Sequence, residues 1–263
     1  MITFLRKVRK SFIDKGSFSR YVFYAIGEIL LVVIEILIAL QVNEWNEGRK
    51  NKIKTKAYVA RMIEDLRADS LMLISHLDEA ALKAQHCKEI KRTVEGSSKG
   101  LDTSRFIVLL QSVGRLDLPP ISDNTYQDLQ SSGNLSLIND VTIREAIRNY
   151  YNEIPHWWFD QYSTQLVDGY LPIAVDAIPM RIHEKILGIE KGQPGVPSLY
   201  FDKNLITVTP DEFDQCIAYL KDNEDFFFNL KRINRSHLVH VKLLSSLQNN
   251  ANRLIQLLQT MHK

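Results

Sequence analysis

Apolar positions follow three successive patterns along the chain. From Tyr21 to Val42 they are nearly continuous, YVFYAIGEILLVVIEILIALQV; from Val59 to Cys87 they recur by fours and threes; beyond residue 100 they form short amphipathic stretches divided by turn residues. The first pattern predicts a membrane span, because 22 residues at ~1.5 Å of rise each reach about 33 Å, enough to cross the hydrocarbon core. Its apolar residues surround the helix instead of forming a stripe, which argues against a helix buried in a soluble core. The run is longer than the apolar core of a secretory signal and lacks a small-residue cleavage site at Gln41-Val42-Asn43, so it is expected to stay uncleaved.

The second pattern predicts a long helix. Asn43 to Val94 holds no proline and a single glycine, Gly48. Val59, Ile63, Leu66, Ser70, Leu73, Leu77, Ala80, Ala84 and Cys87 alternate by four and three, a heptad seam whose one polar member is Ser70. Such a seam serves either a coiled coil between chains or one helix of an intramolecular bundle; Leu71 and Ile74 would widen the apolar face, which favours the bundle. Glu95–Gly100 then reads as a turn.

The third pattern predicts shorter helices. Asp102 or Thr103 can cap a segment carrying Phe106, Leu109, Leu110 and Val113, halted by Gly114 and Pro119-Pro120. A helix is expected over Asn124–Ser131, and Thr142-Ile143-Arg144-Glu145 fits a capping box ahead of Ile143, Ile147, Tyr150 and Ile154, with a kink at Pro155. Apolar residues continue to Ile178, residues 188–198 read as loop, and Leu199–Thr207 as an extended piece. Thr209-Pro210-Asp211-Glu212 is a second capping box with proline at the first helical position. The last helix, broken near Asp222-Asn223, carries Leu230, Ile233, Leu238, Val241, Leu244, Leu247, Leu254 and Leu258, and can pack back on the long helix. The expected fold is therefore mainly α: a basic amphipathic segment over residues 1–20, a transmembrane helix over 21–42, and a stalk continuing into an elongated antiparallel helical bundle over 43–263.

Charge refines the membrane reading. Arg6, Lys7, Arg9, Lys10, Lys15 and Arg20 precede the span, and Arg49, Lys50, Lys52, Lys54, Lys56 and Arg61 follow it, so the basic flanks tie. The cluster ahead of the span, and Glu44 and Glu47 coming first beyond it, lean toward a cytoplasmic N-terminus and a periplasmic body. The formal net charge of +2 arises mostly from these flanks and points to lipid headgroups, not to nucleic acid. Within the span Glu28 and Glu35 are seven apart and share a helix face; an ionised carboxylate near a helix centre costs about 2.5–3.5 kcal/mol on insertion scales. Protonation or a polar partner on another helix would relieve that cost, so these two carboxylates are the candidate residues for association in the membrane.

Other chemistry is sparse. Cys87 and Cys216 can pair as a disulfide in an oxidising compartment, but on apolar helix faces they read more readily as small buried hydrophobes. His237-Leu238-Val239-His240 places two imidazoles at i and i+3, and His86-Cys87 or His183-Glu184 are further donors, but the spacing of a zinc or calcium motif is missing and the histidines read as a solvated face. Trp157-Trp158-Phe159 and Phe226-Phe227-Phe228 can line a ligand pocket between helices, but at this density they read as core. Ser131-Ser132-Gly133 lacks the strand and the G-x-S-x-G pattern of a nucleophile elbow. No catalytic, cofactor-binding or metal-binding residue is assigned.

Residues 24–50, YAIGEILLVVIEILIALQVNEWNEGRK, and residues 122–151, centred on Thr125-Tyr126-Gln127-Asp128-Leu129-Gln130-Ser131-Ser132-Gly133-Asn134-Leu135-Ser136-Leu137-Ile138, resemble a family of uncharacterised single-span membrane proteins of Gram-negative bacteria, a domain of unknown function. Glu35 departs from the small residue expected at its place. The resemblance implies membrane anchoring and transfers no functional site; the inner membrane is the expected location. Two functions follow: a scaffold or interaction module of the cell envelope, without enzymatic activity, which meets a second copy or an envelope protein through the seam and the span; or a ligand-binding sensory module whose output lies in a separate partner.

Overall fold

In the computed structural model, residues 18–96, 102–116, 119–152, 166–186 and 206–261 are described. The regular structure among them is helical, and they form no strand. The chain divides into two compact units, Met1–Tyr58 and Val59–Lys263.

Helix α1 runs Phe18–Val94, as the lack of proline predicts. Lys91 and Arg92 in its last turn complement the carbonyl end of the helix dipole, and Gly96 (φ 77°) turns the chain away after it. From Val59 onward the predicted seam is buried: Val59, Leu66, Leu73, Ala80, Ala84 and Cys87 are all 4 % exposed or less. Ser70, the polar member, donates from Oγ to Asn252 Oδ1 (3.2 Å). Residues of the chain's own other helices thus cover the seam. The widening residues are different from those expected. Leu71 is 72 % exposed and Ile74 41 %, whereas Met62, Asp69, Ile90 and Val94 are buried. Met62, Leu66, Asp69 and Leu73 follow the same four-three alternation, so the covered face widens on the other flank of the seam.

After α1 come α2 (Thr103–Ser112), α3 (Asn124–Ser131), a 3₁₀ turn (Asn134–Leu137) and α4 (Val141–Asn152). Asp102 caps α2 by accepting from the Ser104 N–H (3.0 Å). Gly133 takes the left-handed conformation (φ 69°) that ends α3, and the following turn docks Leu135 and Ile138. The cap of α4 departs from expectation: Asp140 accepts from the N–H groups of Thr142 (2.8 Å) and Ile143 (3.3 Å), so Thr142 is already helical and forms no capping box. The aspartate wins because it stands just ahead of the first turn, where a carboxylate meets orphan N–H donors and the positive helix end together.

A π-helical turn (Leu166–Tyr170) leads into α5 (Leu171–Asp176) and α6 (Met180–Ile186). Gly169 lies so close to the last long helix that a Cβ there would meet Asn229 Oδ1 at 2.6 Å. α7 (Pro210–Asp222) starts with the predicted capping box, Thr209 Oγ1 accepting from the Glu212 N–H and Glu212 accepting from the Thr209 N–H. α8 (Phe226–Thr260) follows the predicted break, where Asn223 Oδ1 accepts from the Asp225 N–H. Ser70 meets Asn252, Leu73 and Ala80 share a cluster with Leu244 and Leu247, and Cys87 lies in the core that holds Leu230. Rising numbers on α1 therefore match falling numbers on α8.

On α8 the buried positions include Leu230, Ile233, His237, His240, Leu244, Leu247, Ala251, Leu254 and Leu258, an unbroken three-four alternation, and Phe226, Asn229 and Ser236 are buried beside it. The two histidines occupy seam positions, so they are core residues and not the solvated face expected from their polarity; Leu238, expected inside, is 47 % exposed. Phe226 is buried and Phe227 packs on the main core, but Phe228 is 60 % exposed beneath the Arg232 guanidinium (5.5 Å). Cys87 and Cys216 are free and buried, and burial pushes both thiols up to about 12. Ile154, Pro155, Trp157-Trp158-Phe159, residues 188–198 and most of Leu199–Thr207 lie outside the described residues.

Candidate functional site

Three features of the described residues bear on function. In the first unit, α1 includes one helical stretch long and apolar enough to cross a membrane, with an 18-residue window of mean hydropathy 2.5, none of it buried. A helix from a soluble core would be mostly buried; among the described residues none covers this window. Glu28 and Glu35 are both exposed on it, seven residues and two turns apart, so they lie on one side of the helix. No described residue of the chain covers either carboxylate.

The second feature is a polar ladder in the other unit. Arg61 pairs with Asp128 (3.4 Å), Thr125 Oγ1 donates to Asp65 (2.5 Å), and the Ser122 N–H donates to Asp69 Oδ1 (2.9 Å). Positions four apart on α1 therefore meet positions three apart in and before α3, each step one helical turn. The Tyr150 hydroxyl donates to the second Asp69 oxygen (3.0 Å), and Tyr151 stacks on Tyr126 with ring centroids 4.4 Å apart. Burial raises the Asp69 carboxyl above the ordinary aspartate range; its two hydrogen bonds pull it down, and the carboxylates of Asp65 and Asp123 push it up. Burial, and then the Asp69 charge, likewise raise the Tyr150 hydroxyl, which keeps its proton for that bond. The block Ser122–Tyr151 thus docks on α1, beside the contacts that α8 makes with it. Its Ser132 hydroxyl donates to the Asp128 carbonyl, and Ser131 does the same more weakly, so both serines close a helix end.

The third feature is a buried basic cluster. His237 Nε2–H donates to the Val113 carbonyl (2.8 Å), which fixes the tautomer and leaves Nδ1 as a bare acceptor, buried without a partner. Burial is the main cause that brings the His237 imidazole down to about 4, so it is neutral at pH 7. Lys83, only 8 % exposed, donates to the Arg115 carbonyl (3.1 Å) and pairs with Glu79 (2.7 Å). His76, Glu79, Lys83, Arg115, His237 and His240 surround a cavity of about 10 Å³, room for a single water. Among the described residues no three His, Cys, Asp or Glu side chains converge on a point where a metal ion could sit. His183 is engaged through both ring nitrogens, to Gln111 and to the Val175 carbonyl.

A family model described as a family of unknown function matches residues 28–172, more than half of the chain. The chain belongs to the DUF6090 family. The match takes in Glu28, Glu35 and the polar ladder, and it contains both stretches that carry the sequence resemblance apart from residues 24–27. No curated protein and no solved structure matches this DUF6090 chain.

The ladder and the buried histidines were not read from the sequence. For the histidines a signal was present: continuing the alternation from Leu230 and Ile233 lands on residues 237 and 240. Asp69 had a weaker one, since it continues the Met62 and Leu66 spacing.

Proposed function

We propose that this DUF6090 protein is a single-pass protein of the Gram-negative inner membrane that acts by association and not by catalysis, as a scaffold or interaction module of the cell envelope. The uncovered apolar surface of residues 22–42 carries this reading, because such a surface is stable in lipid and unfavourable in water. The basic flanks extend it to anionic headgroups, with the N-terminus in the cytoplasm and the body in the periplasm. The body is read as an elongated antiparallel bundle, supported by the matched contacts of α1 and α8.

The interaction face is the side of the span bearing Glu28 and Glu35. The seam that could have served a coiled coil is occupied by the chain itself, which leaves the intramembrane carboxylates as the polar groups in need of a partner. A second copy satisfies that need when a protonated carboxyl on one span donates to a carboxylate on the other. Crosslinking in intact membranes, comparing the natural chain with Glu28→Leu/Glu35→Leu, tests this. Loss of a discrete crosslinked species in the variant supports it; the same species at the same yield in both sinks the carboxylate face as the interface.

A further inference from the structure

The far end of α1 and the start of α8 leave a cleft of about 560 Å³, within the size range of small-molecule sites. Its floor is apolar and continuous with the main core: Cys87 and Leu230 are buried, and Phe227 packs against that core. Its rim is cationic, with Lys88 and Lys91 one turn apart on α1 and Lys231 on α8. Among the described residues of the lining Glu95 is the one acid, and it is partly engaged by Lys91 at 3.6 Å. Lys88 and Lys231 are both exposed, and neither forms an ion pair or hydrogen bond among the described residues. Asn234 also lines the cleft, and its Oδ1 is buried without a hydrogen-bond partner.

We infer that this cleft binds a soluble amphipathic acid, with its apolar body on Phe227 and Leu230 and its carboxylate between Lys88 and Lys231. Three ammonium groups against one carboxylate leave an excess of two positive charges at the rim, which complements one or two negative charges on a ligand. A polyanion would leave the apolar floor uncovered, and its outer charges would meet Glu95. A neutral apolar ligand would leave the two unpaired lysines without a counter-charge. The compact, freely rotating ammonium groups suit a point-like carboxylate better than a planar fork would. Asn234 Oδ1, a buried acceptor without a partner, meets a hydroxyl or N–H on the ligand's body and not its carboxylate, which has no proton to give. The inference goes beyond association in the membrane and does not depend on it.

The test uses the full chain in nanodiscs of zwitterionic lipid, so that anionic headgroups do not compete, with 2-naphthoate as probe and 2-naphthamide as its neutral match. Titration calorimetry at pH 7.5 reads both. Saturable one-to-one binding of naphthoate is expected, with naphthamide weaker by about tenfold or more. The double variant Lys88→Glu/Lys231→Glu, two exposed positions, is expected to weaken naphthoate by about tenfold or more, since it replaces attraction with repulsion. Raising the salt concentration weakens the natural chain and leaves the naphthamide signal unchanged. An unchanged thermal midpoint of the variant confirms that its fold is kept. Absence of saturable naphthoate binding, equal affinity for the neutral match, or equal affinity in the charge-reversed variant would overturn the assignment.

Discussion

Acidification puts the buried His237 under direct test. Its ordinary value of 6.5 falls to about 4 in the folded chain, and a difference of that size corresponds to about 3 kcal/mol between the two protonation states. The sign follows from which state binds the proton. Between pH 6.5 and 4 the unfolded imidazole takes up a proton that the folded one refuses, so folding stability drops as pH falls through this window. The penalty is complete below about pH 4. The groups facing His237 are the Val113 carbonyl from α2, Glu79, Lys83 and His86 from α1, and, around the cavity, His76, Arg115 and its own neighbour His240. Burial also depresses His86, which adds to the loss, whereas the raised Asp69 opposes it: protonation of Asp69 favours the folded state as pH falls through its raised value. A difference measurement removes these terms. His237→Gln keeps a side-chain N–H for the Val113 carbonyl and cannot titrate. Urea unfolding of both full chains in a non-ionic detergent, followed by circular dichroism from pH 7.5 to 4, should show the natural chain losing about 3 kcal/mol relative to the variant. Parallel pH profiles for the two would refute the buried neutral histidine.

Other outcomes follow from the ladder and the packing. Asp69→Ala strands the Ser122 N–H and the Tyr150 hydroxyl and should cost about 2–4 kcal/mol, with Asp69→Asn milder; a loss below half a kcal/mol by urea unfolding would remove the ladder from the account. Gly169→Ala brings a methyl group against the Asn229 amide, whose Nδ2 is tied to the Asp225 carbonyl, and should cost about 1 kcal/mol or more, visible as a lowered thermal midpoint; an unchanged midpoint would mean that the amide or the π turn yields freely. Leu73, fully buried on the seam, should cost about 2–5 kcal/mol when cut to alanine, whereas Leu71→Ala, at an exposed position, should stay within about half a kcal/mol. The same loss for both would contradict the register of α1. For Glu212, held down at about 2 chiefly by the Arg181 guanidinium, the contribution is present above the ordinary glutamate range and is lost as pH falls from 4.5 to 2. Arg181→Ala should move the Glu212 carboxyl upward in an NMR titration, and an unmoved value would separate the pair.

The elements that depend on local chemistry were legible in the sequence. A proline-free stretch with four-three spacing gives α1, Thr209-Pro210 with Glu212 gives the start of α7, and Gly133 gives the left-handed end of α3. Failures occurred where two local signals competed or where polarity was taken for exposure. Thr142 and Asp140 both suit a cap, and only the backbone decides which one stands outside the helix. His237 and His240 are polar residues on an apolar period, and period outweighs polarity once the Val113 carbonyl satisfies one imidazole. Leu71 and Ile74 are apolar residues off that period and stay in solvent. Asp69 and Tyr150 are 81 residues apart, and nothing in either neighbourhood announces their bond. The lysines of the cleft were invisible for the same reason, since Lys88 and Lys231 become neighbours only when α1 and α8 pair.

Membrane integration through residues 21–42 is the claim on which the proposed function depends, and alkaline carbonate extraction of membranes from cells expressing the full chain tests it most directly. The account predicts that the protein stays with the lipid pellet at pH 11 and that it leaves the pellet when four of the span's leucines and isoleucines are changed to aspartate. Release of the natural chain into the supernatant would contradict the span, and with it the association proposed for Glu28 and Glu35.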